Sequence, residues 1–509
     1  MKTDKKLSFV KFTIAILLGT SILAACSKDF LDRPAQGEYT EGTYPYSPGS
    51  GAFDPVIFDA YSALRLYGVH SAGFQAATSV RSDDADKGSF DSDGANTRQF
   101  DDFTLTSTNG LTNGMWLDHY TIINRCNIIL DKIKKDQSTL TPEATKISGQ
   151  AEAKFIRAYA YFMMVRYFGG VPLIDSIAEN QVSMANVSRS TTAQTYALIE
   201  SDLQFAAANL PVSWERKFIG RATRGAANGL LAKVYLTQKK WEPAKNAANL
   251  VIQSGQYDMS TSYNTIFGET GENSKESVFE VQATATTSEP TRYGVQYAQN
   301  QGVRGTGIWN LGNGFNVPST ALEAAYEPGD PRKARTILYS GGTSVYNEPV
   351  PAGLTNPRYN HKALSSPAYR SMYLNNFGYW MNVRILRYAD VLLMYAEAAN
   401  EIGGVENTQQ ALEKLEMVRA RARNGNNAIL LPVTTTDQED LRQAIRHERR
   451  IELAMEHERF FDLVRWGIAG PVLRAAGKNF VDGRDELTPI PQAQIDISKG
   501  KITQNPFFN

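Results

Sequence analysis

Aromatic side chains dominate the chemistry available between residues 290 and 380, where thirteen Phe, Trp or Tyr residues occur. A sugar ring presents an apolar face of C–H groups and a rim of hydroxyls, which a flat aromatic ring with polar neighbours can meet. Trp309 lies in a glycine-rich stretch, residues 305–314, with few local neighbours to bury it, so we expect it on an exposed loop. The candidate ligand-contacting residues in this part of the chain are Trp309, Tyr293, Tyr297, Tyr369, Tyr373 and Asn313. Packing beneath the loops is the alternative for each ring, whereas Trp116 lies at helical spacing from Tyr120 and Ile123 and is expected in the core.

Carboxylates form a second group of candidates. The densest acidic stretch contains Asp83, Asp84, Asp86, Asp91, Asp93, Asp101 and Asp102. Asp83 and Asp84 are candidates for hydrogen bonds to sugar hydroxyls, and calcium binding, solvated loops and helix caps are the alternatives. So many carboxylates single out no acid/base pair, so glycoside hydrolysis is the less favoured interpretation.

A zinc-protease motif and a dinucleotide-binding motif are each incomplete in this sequence. His447-Glu448 is followed by Ile451 where a zinc-protease helix needs a second histidine. Gly305 and Gly307 lack the third glycine of a dinucleotide-binding loop. We therefore predict a protein without catalytic residues, cofactor or bound metal.

The amino-terminal residues predict a lipid anchor. Four lysines precede an apolar run, residues 12–25, that is too short to span a bilayer, and Leu23-Ala24-Ala25-Cys26 has the pattern of a bacterial lipobox. We expect residues 1–25 to be a lipoprotein signal peptide, Cys26 to carry the lipid, and residues 26–52 to be a tether. Removal of the signal leaves 49 basic and 52 acidic residues, so nucleic acid is not an expected partner. Cys126 is then the remaining cysteine, expected as a buried apolar side chain.

Hydrophobic periodicity predicts a mainly α fold. Residues 220–252 and 391–422 each form a pair of amphipathic helices of the tetratricopeptide type. A helical-repeat region should cover 53–258, a loop-rich ligand-binding insertion with short strands such as 277–281 should cover 259–380, and helices should return over 381–509. The last long helix is expected to run from a cap near Asp437 to about Trp466. Its charged residues, with those of the helix after Arg387, are expected to form interhelical ion pairs.

Several motifs resemble the SusD/RagB family in their order along the chain. They are AEAKFIRAYAYFMMVRYFGGVPLI (151–174), LEAAYEPGDPRKARTI (322–337), RYADVLLMYAEAANE (387–401), HERRIELAMEHERFFDLVRWG (447–467), LTPIPQAQI (487–495) and ITQNPFFN (502–509). The resemblance implies a SusD-like fold and an outer-membrane lipoprotein that delivers an oligosaccharide to a SusC-like TonB-dependent transporter. A peptide or other small nutrient, as for the RagB type, is the alternative ligand. The residues after Cys26 match the family's surface-export pattern only in part.

Overall fold

The body of the protein is built mainly from α-helices, which confirms the predicted fold class. The computed structural model describes residues 51–138, 141–177 and 187–508. The predicted signal peptide, Cys26 and almost all of the predicted tether lie outside these described residues. From Phe53 onward the chain forms one compact unit.

The helices of the described ranges vary in length from single turns to rods of 26 residues. The α-helices are α1 (Asp54–Ala63), α2 (Tyr67–His70), α3 (Ala72–Gln75), α4 (Ala95–Asp101), α5 (Gly110–Lys135), α6 (Glu143–Phe168), α7 (Thr192–Asn209), α8 (Arg224–Thr237), α9 (Trp241–Gln253), α10 (Tyr263–Ile266), α11 (Tyr297–Gln301), α12 (Thr320–Ala325), α13 (Arg332–Thr336), α14 (Pro367–Tyr373), α15 (Tyr388–Ile402), α16 (Val405–Arg423), α17 (Gln438–Glu452), α18 (Arg459–Trp466), α19 (Ala469–Ala475) and α20 (Gln492–Ile497). The strands are β1 (Ala85–Gly88), β2 (Ser277–Val281), β3 (Phe315–Pro318), β4 (Ile337–Tyr339), β5 (Arg358–Asn360) and β6 (Val383–Arg387).

Successive helices pack side by side to form the frame. The packing order runs α5, α6, α7, α8, α9, α15 and α16, with α17 lying against both α15 and α16. The pairs α8/α9 and α15/α16 are the two predicted helix pairs, and buried alanines such as Ala227 and Ala248 let α8 and α9 approach closely. Because α9 packs directly on α15, the chain between them leaves the row of helices and returns to it.

Local capping fixes where the long frame helices begin and end. The side chain of Asn109 accepts hydrogen bonds from the first turn of α5, and Thr191 with Gln194 forms a capping box at the start of α7. Helix α6 stops at Gly169, whose φ of 73° is in the left-handed region. Asp437 caps α17, as the sequence predicts.

In the described ranges, three antiparallel two-stranded sheets involve the chain between α9 and α15. They pair β1 with β3, β2 with β6, and β4 with β5. Strand β2 covers the predicted residues 277–281, and its partner β6 leads straight into α15. Strand β3 pairs with β1, which comes from the amino-terminal half. The pairing of β3 with β1 therefore holds this segment to a strand from outside it, whereas the other two sheets lie within the segment.

The prediction of one helix from Asp437 to Trp466 is wrong. Helix α17 ends at Glu452, and α18 begins only at Arg459. Between them, Met455 and His457 have φ values of 63° and 71°. Neither glycine nor proline occurs there to signal a break, so the sequence gives no local sign of the turn.

Buried ion pairs between helices confirm the structural interpretation of the charged motifs. Arg387 contacts Glu452 at 2.9 Å, and Arg449 of α17 contacts Asp390 of α15 at 2.8 Å. Cys126 and Trp116 are both buried, as predicted. Within the described ranges, no helix combines the length and apolarity required to cross a bilayer.

Candidate functional site

Asp83 and Asp84 are engaged in ion pairs rather than presented to a ligand. Both are buried, and Arg459 donates to the two oxygens of Asp83 at 2.8 and 2.9 Å. Arg450 donates to Asp84 at 2.7 Å and lies 2.9 Å from Asp83. Burial by itself would raise the pKa of Asp83, but the hydrogen bonds and charge of Arg459, with Arg450, hold that pKa below its ordinary value. Asp83 and Asp84 therefore link the start of β1 to α17 and α18. We do not include them among the candidate ligand-binding residues.

Trp309 is a core residue, so the expectation that it lies on an exposed loop is wrong. Its side chain is 3% exposed. It belongs to a cluster of buried residues that includes Val303, Leu311, Val350 and Leu364. The last two lie about forty to fifty-five positions further along the chain, which is why the local glycine-rich sequence does not reveal them.

Tyr297 also points into the body. Its hydroxyl lies 2.9 Å from Nε2 of His457, and the two rings meet edge to face with centroids 5.4 Å apart. Burial raises its pKa. This tyrosine is partly exposed, but its hydroxyl is engaged by His457 in the turn between α17 and α18.

Helix α14 carries two of the predicted tyrosines on a partly exposed surface. Ser366 caps the helix by accepting from the Tyr369 N–H, and the helix ends at Leu374, whose φ is 50°. The rings of Tyr369 and Tyr373 lie 6.2 Å apart, and both are half-buried. Tyr373 packs on Trp380 with centroids 4.8 Å apart and planes 31° from parallel. One side of each tyrosine is thus supported from within.

Glu269 explains why this support is rigid. Its Oε1 accepts from the indole N–H of buried Trp380 at 3.0 Å and from the backbone N–H of Ser366 at 3.0 Å. One carboxylate therefore fixes both the ring beneath Tyr373 and the residue that caps α14. A ring held in this way loses little conformational freedom when a ligand stacks on it.

Tyr293 is an exposed tyrosine whose segment is hydrogen-bonded to the chain at Tyr379. It is 41% exposed, its carbonyl accepts from Thr284 N at 2.9 Å, and the neighbouring Val295 N donates to Tyr379 O at 2.9 Å. Tyr379 in turn packs edge to face with Phe377 at 5.7 Å. Tyr369, Tyr373 and Phe377 pack against one buried cluster that includes Tyr379 and Trp380. We call these three residues, together with the exposed Tyr293 whose segment is hydrogen-bonded to Tyr379, the aromatic surface.

The loop 304–310 borders the aromatic surface. Arg370 of α14 donates to the carbonyl of Ile308 at 3.1 Å, and the Ile308 side chain is 65% exposed at the tip of the loop. At the base of the loop, the guanidinium of Arg304 lies 4.4 Å above the ring of Phe90. Arg304 also pairs with Asp93. Phe90 is half exposed, so a second open ring face lies beside this loop.

Asn313 lies just after this loop and is exposed. Its backbone N–H donates to Gln299 O at 2.9 Å, which fixes the residue. A side-chain amide at such a place supplies both a donor and an acceptor to sugar hydroxyls.

Sequence reasoning missed Phe90, Ile308 and Arg304. The sequence does carry a signal for Phe90. It is a single large apolar residue among Ser, Asp and Gly, and no helical or strand periodicity predicts that it is buried. Ile308 and Arg304 carry no such signal, because the exposure of Ile308 follows from the burial of its neighbour Trp309 and Arg304 is placed by its contacts with Phe90 and Asp93.

The four histidines with the strongest burial are engaged in internal hydrogen bonds. Nδ1 of His70, His119 and His361 pairs with a backbone carbonyl at 2.6–2.7 Å, and His457 meets Thr78 and Tyr297. Burial lowers the pKa of His119 to about 4 and that of the other three to about 3. In the described ranges, no group of three or more His, Cys, Asp or Glu side chains is placed to hold a metal ion.

A helical-repeat frame that displays a preformed aromatic surface on an irregular inserted segment is the architecture of a binding protein. Comparison with known families agrees. Residues 57–236 match the SusD-like family described as starch-binding and associating with the outer membrane, and residues 275–508 match the SusD family. The chain belongs to the SusD/RagB family.

Individual relatives resemble it along most of their length. A SusD-like protein of Formosa agariphila is 29% identical over 84% of this chain and 87% of its own, and one of Bacteroides ovatus is 27% identical over 90% and 83%. Among solved structures, a laminarin-binding SusD-like protein is 29% identical, with a TM-score of 0.74 over 89% of this chain and 98% of the other. A SusD-like protein from Bacteroides fragilis is 25% identical, with a TM-score of 0.73 over 90% and 96%.

Proposed function

We propose that the protein captures an oligosaccharide on the aromatic surface and delivers it to a SusC-like TonB-dependent transporter in the outer membrane. The observation that carries this proposal is the arrangement of Tyr369 and Tyr373, which are partly exposed and pack against a buried cluster in which Trp380 lies against the ring of Tyr373. Such rings can stack on the C–H face of a sugar without first being ordered. The 29% identical relative named for binding laminarin supports a glycan as the ligand class.

Attachment to the membrane is proposed to occur through lipid on Cys26. Leu23-Ala24-Ala25 precedes this cysteine, and outer-membrane association is part of the description of the matching family. A lipid anchor would keep the receptor beside its transporter.

A peptide or another small nutrient is the second candidate ligand. Met372 and Leu374 at the end of α14 are strongly exposed apolar side chains, which suit apolar peptide side chains as well as sugar faces. A glycoside hydrolase is the least favoured alternative, since the candidate carboxylates Asp83 and Asp84 are engaged in ion pairs with Arg450 and Arg459.

A glycan array probed with the full chain, followed by calorimetric titration, tests the proposal. Tyr373→Ala should lower affinity for the glycan found on the array about tenfold, equivalent to about 1.4 kcal/mol, because one stacking face is lost. Tyr67→Ala is the control, since Tyr67 is an exposed tyrosine on α2, a helix that packs on α5 of the frame. Unchanged affinity in Tyr373→Ala would remove the aromatic surface from the site. Binding to peptides but to no glycan would favour the second candidate, and release of new reducing ends would favour the hydrolase.

A further inference from the structure

Two adjoining clefts lie on the helical frame, and no residue of the aromatic surface lines either of them. One, of 480 Å³, opens between the segment 212–223 and strand β2. The other, of 620 Å³, shares Val212, Gln256 and Tyr257 with it. Both volumes lie in the range of about 300–1,000 Å³ that is typical of small-molecule sites.

Trp214 forms one wall of the smaller cleft. Its indole N–H donates to the carbonyl of Ala222 at 2.8 Å, and the guanidinium of Arg221 lies 4.2 Å from the ring centroid. Arg221 is itself held by the buried carboxylates of Asp54 and Glu152. The indole is half-buried, so part of a rigidly held ring remains open to the cleft.

Tyr257 lies where the two clefts meet. Its hydroxyl lies 3.0 Å from Oγ1 of Thr223, and its ring stacks on Tyr388 with centroids 6.4 Å apart and planes 25° from parallel. Val212 and Leu250 are exposed apolar side chains on the lining. The clefts therefore offer two fixed ring faces and an apolar floor.

Hydrogen-bonding groups lie at the edge of the same clefts. The Lys275 ammonium donates to the carbonyl of Gln256 at 3.2 Å and, with three N–H groups, can donate to further oxygens. The side chains of Gln256 and Ser213 line the cleft and add an amide and a hydroxyl. The carboxylate of Glu280 is buried and accepts from Asn382, so the cleft is not arranged to take up a cation. A hydroxyl-rich, uncharged ligand fits this combination.

A short segment connects the clefts with the aromatic surface. Gln282 packs against Gly220 of the cleft wall and exchanges two amide hydrogen bonds of 2.9 and 3.0 Å with Asn273. Two residues further on, Thr284 donates to the carbonyl of Tyr293. Two residues of extended chain span about 7 Å, so the edges of the two sites lie near each other.

We propose that the two clefts form a second saccharide-binding site, which holds another stretch of the same polysaccharide chain. This inference rests on the proposed function, since it needs a glycan on the aromatic surface. When one polymer binds both sites, the second contact is intramolecular, and the affinity for long chains rises. A short oligomer reaches one site and gains nothing from the other.

The test compares the full chain with Trp214→Ala on an array carrying short oligomers and long polymers of glucans, xylans, mannans and galactans. We expect the wild type to bind a polymer more tightly than its short oligomer. Trp214→Ala should lower the polymer affinity about tenfold or more and leave the oligomer affinity unchanged. Tyr373→Ala should lower both.

Trp466→Ala is the matched control. Trp466 is also a half-buried indole, its N–H donates to Glu397 at 2.8 Å, and two guanidinium groups lie 4.9 Å from its ring. If Trp214→Ala lowers the melting temperature, the polymer affinity of the double variant Gln256→Ala/Lys275→Ala, at the edge of the cleft, provides the test instead. Equal affinity for long and short chains, or full polymer affinity in both cleft variants, would overturn the second site alone. Absence of any bound glycan would overturn the proposed function as well.

Discussion

An aromatic side chain in a glycine-rich segment can pack in the core or lie on the surface, and Trp309 packs in the core. Its ring closes the cluster around Val303 and Leu364, and by doing so turns its neighbour Ile308 outward. The glycines permit a tight loop around the ring: a Cβ at Gly305 would lie 2.8 Å from the carbonyl oxygen of Trp309. The residue that contacts the core and the residue that faces a ligand are thus adjacent in sequence.

Trp309→Ala should therefore destabilise the fold by about 3–5 kcal/mol, because it leaves a large cavity in a packed cluster. Urea denaturation of the variant and the wild type measures this difference. Ile308→Ala is the control, since it removes an exposed side chain from the same loop and should change stability by less than about 0.5 kcal/mol. A variant as stable as the wild type would show that Trp309 is not a core residue.

At the scale of elements, the turn between α17 and α18 organises contacts that a continuous helix would not make. Glu456 in this turn contacts Arg387 at 2.6 Å and Lys362 at 2.7 Å, and His457 reaches Tyr297. Arg459 at the start of α18 holds Asp83. The two helices thereby bind β1, β6 and the inserted segment together.

Asp83→Asn should lower the free energy of unfolding by about 1.5–3 kcal/mol, since hydrogen bonds to a charged group are lost and Arg459 is left without its main partner. Ligand affinity should stay unchanged because this carboxylate is buried. Thermal and urea unfolding, with titration of the glycan from the array, give the two readouts. Asp91→Asn is the control, since Asp91 is fully exposed in the same acidic stretch. Lost affinity with normal stability would restore Asp83 as a ligand contact.

The buried histidines predict loss of stability in mild acid. Burial lowers the folded-state pKa of His119 to about 4 and of His70, His361 and His457 to about 3, below the ordinary value of 6.5. Each contributes stability that is present above pH 6.5 and is lost as the pH falls toward the folded pKa. Glu272 opposes this trend, because burial raises its pKa to about 8 and its protonation favours the folded state.

The free energy of unfolding, measured in urea at several pH values from about 7 down to about 5, should therefore fall with pH. His119→Gln should reduce the slope by up to about 1.4 kcal/mol per pH unit, since one proton fewer is taken up on unfolding. His447→Gln is the comparison and should reduce the slope less, because burial also lowers the pKa of His447 but its side chain is more exposed than those of the other four. A slope of zero in the wild type would contradict the prediction.

At the scale of the whole molecule, the frame and the ligand-binding surface occupy separate parts of the chain. The packed helices from α5 to α16 give an extended surface of regular repeats, whereas the aromatic surface comes from the chain between α9 and α15. The proposed transporter contact and the proposed glycan contact on the aromatic surface can therefore use different residues.

We expect the tagged protein to copurify with a TonB-dependent transporter after gentle detergent extraction of the outer membrane. The reason is that a lipid-anchored receptor requires a separate channel to move its ligand across the membrane. Mass spectrometry of the purified material identifies the partner. Cys26→Ala is the control for anchoring and should leave the membrane fraction. Consistent absence of any such transporter would contradict the proposed partnership.

The helical frame follows from the sequence because its signals are local. Apolar residues at helical spacing in α8, α9 and α15, caps such as Asp437, and alanines that permit close packing all act within a few turns of chain. Ion pairs such as Arg387–Glu452 were also predictable, since charges on apolar helix stripes require partners.

Tertiary structure decided which candidate rings and carboxylates face a ligand. Asp83 and Asp84 form ion pairs with Arg450 and Arg459, more than 360 positions away, and so are not free to contact a ligand. Trp309 is covered by residues beyond Leu338. Tyr369 and Tyr373 stay open because Trp380 and Glu269 support them from beneath. Exposure depends on contacts between distant segments, and single-sequence periodicity carries no information about those contacts.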